Sequence, residues 1–199
     1  MTITYHVGDG LYVNLTNRCS NHCDFCERDK MDGVGDASSL WLPREPSAAE
    51  IWDSVSAHDP AAQSELVFCG FGEPTERLDI LLETAAHVRR VFPQVPIRLN
   101  TNGMGNLIAG TDVTPRLAGL IDVVSISLNY ARASDYEAHC LPDYPDAFAG
   151  MLDFTRRAVG QVPRVVMSVV RGTLPEEDID VCRALAESLG ASLRVRAYH

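Results

Sequence analysis

Short runs of β-forming apolar residues alternate along this chain with polar loops and amphipathic helical stretches, and the alternation continues almost to its end. Residues 3–7 and 11–16 are two such runs separated by Gly8-Asp9-Gly10, which predicts a hairpin leading into the first long strand. Leu11, Val13 and Leu15 share one face of that strand, and Tyr12, Asn14 and Thr16 the other. A long polar loop over 27–46 follows, with Trp41 and Leu42 expected to tuck its end against the body. Ser47 and Glu50 form a capping-box pair that opens a helix burying Ile51, Trp52 and Val55.

The same unit then repeats. Strands are expected over 65–69, 97–100, 123–128, 164–170 and 193–198, and helices over 76–91, from Thr114-Pro115, from the pair Ser134 and Glu137, over 146–159, and over 175–189. Six strands of βα type imply parallel pairing with right-handed crossovers, either a doubly wound sheet or a partial barrel. Periodicity alone leaves both open.

The faces of the strands narrow the picture. A parallel strand covered on both sides reads as a continuous apolar run. Here Leu99 is flanked by Arg98 and Asn100, and Val124, Ile126 and Leu128 are interleaved with Ser125, Ser127 and Asn129. Arg194, Arg196 and Tyr198 interleave with Leu193, Val195 and Ala197 in the same way. One face of the sheet is therefore polar and lines solvent or a cavity, as in an open, curled sheet. Ion pairs such as Glu65 with Arg98 or Arg194 are the structural alternative for those arginines. Ser127, Asn129 and Arg196 fall near C-terminal strand ends, where α/β sites collect.

Composition adds limits. A chain of 199 residues with 46% hydrophobic and 22% charged residues suits one globular domain, 1–199, and no apolar run approaches a membrane span. The N-terminus lacks the basic and apolar regions of a secretory leader, which makes the cytoplasm the expected compartment. A net charge of −10 disfavours a broad nucleic-acid footprint. In a reducing compartment, six cysteines argue for metal or catalytic use over disulfides.

Three of them, Cys19, Cys23 and Cys26, are grouped in one loop after the first strand. Zinc needs four tetrahedral ligands, and His22, adjacent to Cys23, lacks the spacing to wrap a metal. An iron–sulfur cube has four irons, so three thiolates leave one without a protein ligand. Such an iron is open to chelation by a small molecule, and the amino and carboxylate groups of S-adenosylmethionine (SAM) suit it.

The pattern Cys19-x-x-x-Cys23-x-Phe25-Cys26 resembles the signature of the radical SAM enzymes, including the aromatic residue before the third cysteine. Gly70 and Gly72-Glu73-Pro74 resemble the glycine-rich Glu-Pro motif that binds the methionyl amine, with Phe71 standing where that motif has a glycine. Asn100-Thr101-Asn102-Gly103 resembles the segment after the third strand, whose polar residues help hold the amine. Ser127 and Asn129 fall where the family places ribose and carboxylate ligands, and Arg196, with Tyr198 or His199, falls beside the adenosine. The lead-in Leu15-Thr16-Asn17-Arg18-Cys19 and the stretch from Cys69 to Thr75 look most like the small radical SAM proteins associated with TatD-type hydrolases.

This resemblance implies an open, partial (β/α)6 TIM-like barrel of the α/β class, here with an N-terminal hairpin. It implies one 4Fe–4S cluster on Cys19, Cys23 and Cys26, with Phe25 packed on adenine. The cofactor chemistry is reductive cleavage of SAM to a 5′-deoxyadenosyl radical that abstracts hydrogen from substrate. Expected partners are a small polar or anionic substrate, a flavodoxin- or ferredoxin-type electron donor, and a TatD-type hydrolase. Two rival readings are an activase that makes a glycyl radical on a partner enzyme and a non-enzymatic metal-binding module. Cys69, Cys140 and Cys182 are too few for an auxiliary cluster. Cys182 reads as core, and Cys69, near the cofactor end, as a candidate hydrogen donor.

Overall fold

A computed structural model describes residues 1–197. Seven strands form one sheet: β1 (Thr4–Val7), β2 (Gly10–Val13), β3 (Leu66–Phe68), β4 (Ile97–Thr101), β5 (Val123–Ser127), β6 (Arg164–Val170) and β7 (Ser192–Arg196). β1 and β2 pair antiparallel around the Gly8 turn, and every later pair is parallel.

The strand order is strictly sequential, from β1 to β7. A doubly wound sheet needs a point where the order reverses, so that helices fall on both faces. Without a reversal, right-handed crossovers place every helix on one side. This settles the choice that periodicity left open. The sheet curls as a partial barrel whose edges, β1 and β7, do not meet.

Helices α1 (Ala48–Ala57), α2 (Leu78–Val91), α3 (Gly105–Ala109), α4 (Ala133–Cys140), α5 (Ala147–Ala158) and α6 (Glu176–Ser188) occupy the crossovers. Leu11, Phe68, Leu99, Ile126 and Met167 from the strands meet Ile51, Leu81, Met151, Phe154 and Ala186 from the helices in one continuous core. Cys182 is buried in that core, as its helical position implied. The opposite face carries Arg98, Asn100, Ser125 and Ser127, each half-buried. On that face Arg98 pairs with Glu65, the structural alternative the sequence allowed, whereas Arg194 and Arg196 are exposed.

Several local expectations need correction. Ser134 and Glu137 do not cap α4. The helix begins at Ala133 with Arg132 at its cap position, and the Arg132 guanidinium is held by both oxygens of Asp178, at 2.8 and 2.9 Å. The segment from Thr114 is a single 3-10 turn, Thr114–Leu117, started by Asp112, whose Oδ1 accepts from the Thr114 amide and hydroxyl. The helix in that crossover is α3, whose five residues are too few to show a hydrophobic period. β5 stops at Ser127 because Asn129, two residues on, takes a left-handed φ of 59°. In the 27–46 segment Leu40 and Leu42 are buried. Trp41 instead lies edge-on over Phe71 and stays half exposed.

The capping box at α1 forms as expected. Ser47 Oγ accepts from the Glu50 amide, and Glu50 Oε2 accepts from the Ser47 amide at 2.9 Å. Arg44 adds two hydrogen bonds to the same carboxylate. Arg44 first, then Ser47, holds the Glu50 pKa down at about 2. A carboxylate with a lowered folded pKa contributes stability above its unfolded value, near 4.5, and loses it as pH falls toward 2. Glu50→Gln is therefore expected to lower Tm at pH 7, with the difference from wild type shrinking between pH 4.5 and pH 2 in a thermal melt series.

Candidate active site

Every parallel strand points its C-terminal end the same way, so the loops that follow them gather at one mouth. The cysteine loop follows β2 there. Its backbone is bound on two sides. On one side His22 and Asp24 donate their amides to the carbonyls of Cys140 and His139, at 2.9 and 3.0 Å, while Asp143 donates to Ser20 and Asn21 bridges to Pro142. These carbonyls at the end of α4 lack partners within the helix, so loop and helix end satisfy each other. Side-chain contacts of His139 Nδ1 with Asp24 and of His22 Nε2 with Asp143, at 2.8 and 3.0 Å, flank this seam.

On the other side the loop's lead-in crosses directly over the β3 end. A Cβ on Gly72 would stand 2.2 Å from Thr16 O and 2.6 Å from Arg18 O. Only glycine permits that crossing. The Glu73 amide then donates to Arg18 O at 2.7 Å. Gly70 is pressed in the same way against the Asn14 side chain.

Glu73 itself is buried, and its carboxylate accepts four hydrogen bonds. Oε1 takes the Thr75 amide and the hydroxyls of Thr75 and Thr101, and Oε2 takes the Asn102 amide at 2.6 Å. Burial raises its pKa despite those donors. The carboxylate thus fastens the end of β3 to the end of β4. Asn102 extends the link, its amide group reaching Ser20 Oγ at 3.1 Å and lying 3.9 Å from Cys19 Sγ.

Phe71 occupies the position where the resembled motif has glycine, and its ring is buried. It joins Tyr5 and Leu40 in a small second core beneath Trp41, which anchors the 27–46 segment to the hairpin. The departure from the motif serves this strap.

The other expected site residues take these places. Phe25 lies edge-on to Tyr130, with ring centroids 6.0 Å apart, and Tyr130 stacks on His139. Asp24, Phe25, Tyr130, His139, Gly172 and Thr173 line an open cleft of about 400 Å³. Asn100 stands on the polar face with its Oδ1 buried and unpartnered, beside Cys69. Ser127 faces the same side, in register with Ser168. Asn129 spends its amide on Cys140 Sγ at 3.5 Å. Arg196 lies at the exposed edge, and its charge acts on Cys69. Tyr198 and His199 lie outside the described residues. Sequence reasoning missed Tyr130, although it directly follows a flagged strand end. It also missed His139 and Cys140, whose docking on the cysteine loop leaves no trace in periodicity.

All six cysteines are free, and those of the triplet are half-buried. Burial pushes the Cys19 thiol up to about 12, with the Glu73 charge adding to the effect, and raises Cys26. Cys23 is raised first by its hydrogen bond to Cys140. Among the described residues no three His, Cys, Asp or Glu side chains converge as ligands of one ion. A cube is held differently, each thiolate on its own iron, and three free thiols on one loop suit that group. His22 sits at the exposed side of the loop with its Nε2 3.0 Å from Asp143 Oδ1.

The sequence pattern of the radical SAM superfamily matches residues 13–185, from the end of β2 into α6. The chain belongs to that superfamily. Its members are enzymes that use SAM and a 4Fe–4S cluster. No curated protein sequence matches the chain. Solved structures show the fold. A radical SAM methyltransferase from Sphaerobacter thermophilus aligns over 98% of this chain and 57% of its own, with 18% identity and a TM-score of 0.66. Methylornithine synthase aligns over 96% and 53%, with 15% identity and a TM-score of 0.68. Streptococcus suis SuiB bound to its precursor peptide aligns over 96% and 39%, with 15% identity and a TM-score of 0.72. The chain thus spans roughly two fifths to three fifths of these proteins. Among the described residues no helix is long and apolar enough to cross a membrane.

Because backbone carbonyls meet any Cβ at position 72, Gly72→Ala is expected to destabilise the fold by about 3 kcal/mol. The loss would appear as a lowered urea midpoint, with hydrogen exchange accelerated in residues 16–26.

Proposed function

We propose that this radical SAM protein is an enzyme that holds one 4Fe–4S cluster on Cys19, Cys23 and Cys26, binds SAM across the strand ends, and acts on a small polar or anionic substrate. The observation that carries the reading is the placement of the triplet. Three free thiols sit on a loop fixed by Gly72, Glu73 and the end of α4, beside an aromatic cleft and above a polar sheet face. The bound cofactors supply reductive cleavage of SAM to methionine and a 5′-deoxyadenosyl radical that removes hydrogen from the substrate.

The protein's own groups bind and orient. Phe25 offers a ring to adenine at the cleft wall it shares with Tyr130. The backbone around Gly70 and Gly72, and the unpartnered Asn100 Oδ1, offer acceptors to the methionyl amine. Glu73 and Asn102 act by keeping this backbone and the cysteine loop in register, since their side chains are spent on the protein. Ser127 and Arg196 complete the cofactor side, whereas Asn129, expected there too, is spent on Cys140 and acts by holding the scaffold. The 27–46 segment, strapped down by Phe71, covers the hairpin end of the polar face and limits solvent there.

Arg194 and Arg196, exposed at the edge strand, favour an anionic group on the substrate. The lead-in to Cys19 and the stretch from Cys69 to Thr75 support kinship with the TatD-associated proteins, hence a TatD-type hydrolase as functional partner. A flavodoxin- or ferredoxin-type protein is the proposed electron donor.

Anaerobic reconstitution with iron and sulfide is expected to load the wild type with a brown, reducible cluster. Replacing Cys19, Cys23 or Cys26 singly by Ala should cut bound iron several-fold. Wild-type protein that takes up zinc in preference to iron and sulfide would contradict the reading.

A further inference from the structure

A fourth thiol touches the cysteine loop. Cys140 is the last residue of α4 and is fully buried. The loop runs past it in register, with His22 bonded to Cys140 O and Asp24 to His139 O, so Cys23, between them, is brought beside Cys140 and packs against the core that holds it. On its far side Cys140 Sγ accepts from Asn129 Nδ2 at 3.5 Å. That amide is held firmly. Asn129 is buried, its backbone sits at a φ of 59°, and its N–H is tied to Ser168 O at 3.1 Å. A left-handed backbone at a non-glycine residue is costly enough to need such support.

The direction of the hydrogen bonds follows from the groups. A side-chain NH₂ only donates, so Cys140 sulfur is the acceptor toward Asn129. Its single hydrogen remains for Cys23. A cysteine sulfur bound to iron is a thiolate with no hydrogen of its own, hence acceptor only.

We infer that Cys140 is a positioning residue for the cluster, donating its S–H to the Cys23 ligand sulfur in a chain that starts at the Asn129 amide. The inference rests on Cys23 being a cluster ligand as proposed above. A donor on a ligand sulfur stabilises the reduced cluster, which carries the extra negative charge, more than the oxidised one. Cys140 therefore makes the cluster easier to reduce. The plain alternative is that Cys140 is a small apolar filler. Cys182, equally buried but on α6 within the core, supplies the control for that role.

The test is the midpoint potential of anaerobically reconstituted protein, followed by electron paramagnetic resonance during a reductive titration without SAM, with iron and sulfide content measured alongside. Cys140→Ala, and Cys140→Val, which fills more of the space without a donor, are expected to bind wild-type amounts of iron. Their reduction equilibrium should be about tenfold weaker, which for one electron is ~59 mV more negative. Cys140→Ser keeps a donor and should stay near wild type, as should Cys182→Ala. Wild-type potential in both the alanine and valine variants, or a serine variant shifted as far as they are, would overturn the inference and leave the cluster reading standing. Wild-type protein that assembles no cluster would overturn both.

Discussion

The buried carboxylate of Glu73 is the constraint on which the mouth of this half-barrel depends. A charge taken out of water must be repaid by hydrogen bonds, and here all of them come from the ends of two neighbouring strands. The result is a fixed junction between β3 and β4. Upon it the lead-in to the cysteine loop crosses Gly72 at backbone distance, and Asn102 reaches up to the loop beside Cys19. The sheet contributes rigidity, and this junction turns it into position for the three thiols.

A division of labour emerges among the polar residues at the strand ends. Glu73, Asn102 and Asn129 are spent inward on backbone, hydroxyl and thiol groups, and they hold the scaffold. Asn100, Ser127 and Arg196 remain on the polar face with fewer internal ties. Phe71 shows the same economy: a bulky ring where a glycine is expected packs with Tyr5 of the hairpin and Leu40, and so pins the 27–46 segment.

Much of the architecture was legible in the residues. Alternation of strands and helices implied parallel pairing, and the interleaved polar positions of β4, β5 and β7 implied a one-sided sheet, because each strand reports its own two faces. The choice of a partial barrel was not available from periodicity, since strand order is a long-range property. The capping box at Ser47 and Glu50 was readable because both partners lie within one turn, whereas the similar pair at Ser134 and Glu137 failed because Arg132 is fixed by Asp178, far along the chain. The triplet and the Glu-Pro motif announced the site. The contact of Cys23 with Cys140, and the aromatic wall of Tyr130 and His139, depend on how α4 docks against the loop, and no local signal encodes that.

The central claim is that an incomplete set of thiolates leaves one iron for SAM and thereby makes radical chemistry available. The direct measurement is the formation of 5′-deoxyadenosine by anaerobically reconstituted protein given SAM and dithionite. The account predicts 5′-deoxyadenosine and methionine in equal amounts, dependent on reductant and absent when Cys19, Cys23 and Cys26 are replaced by Ala. A cluster-loaded, reduced protein that leaves SAM intact would contradict it.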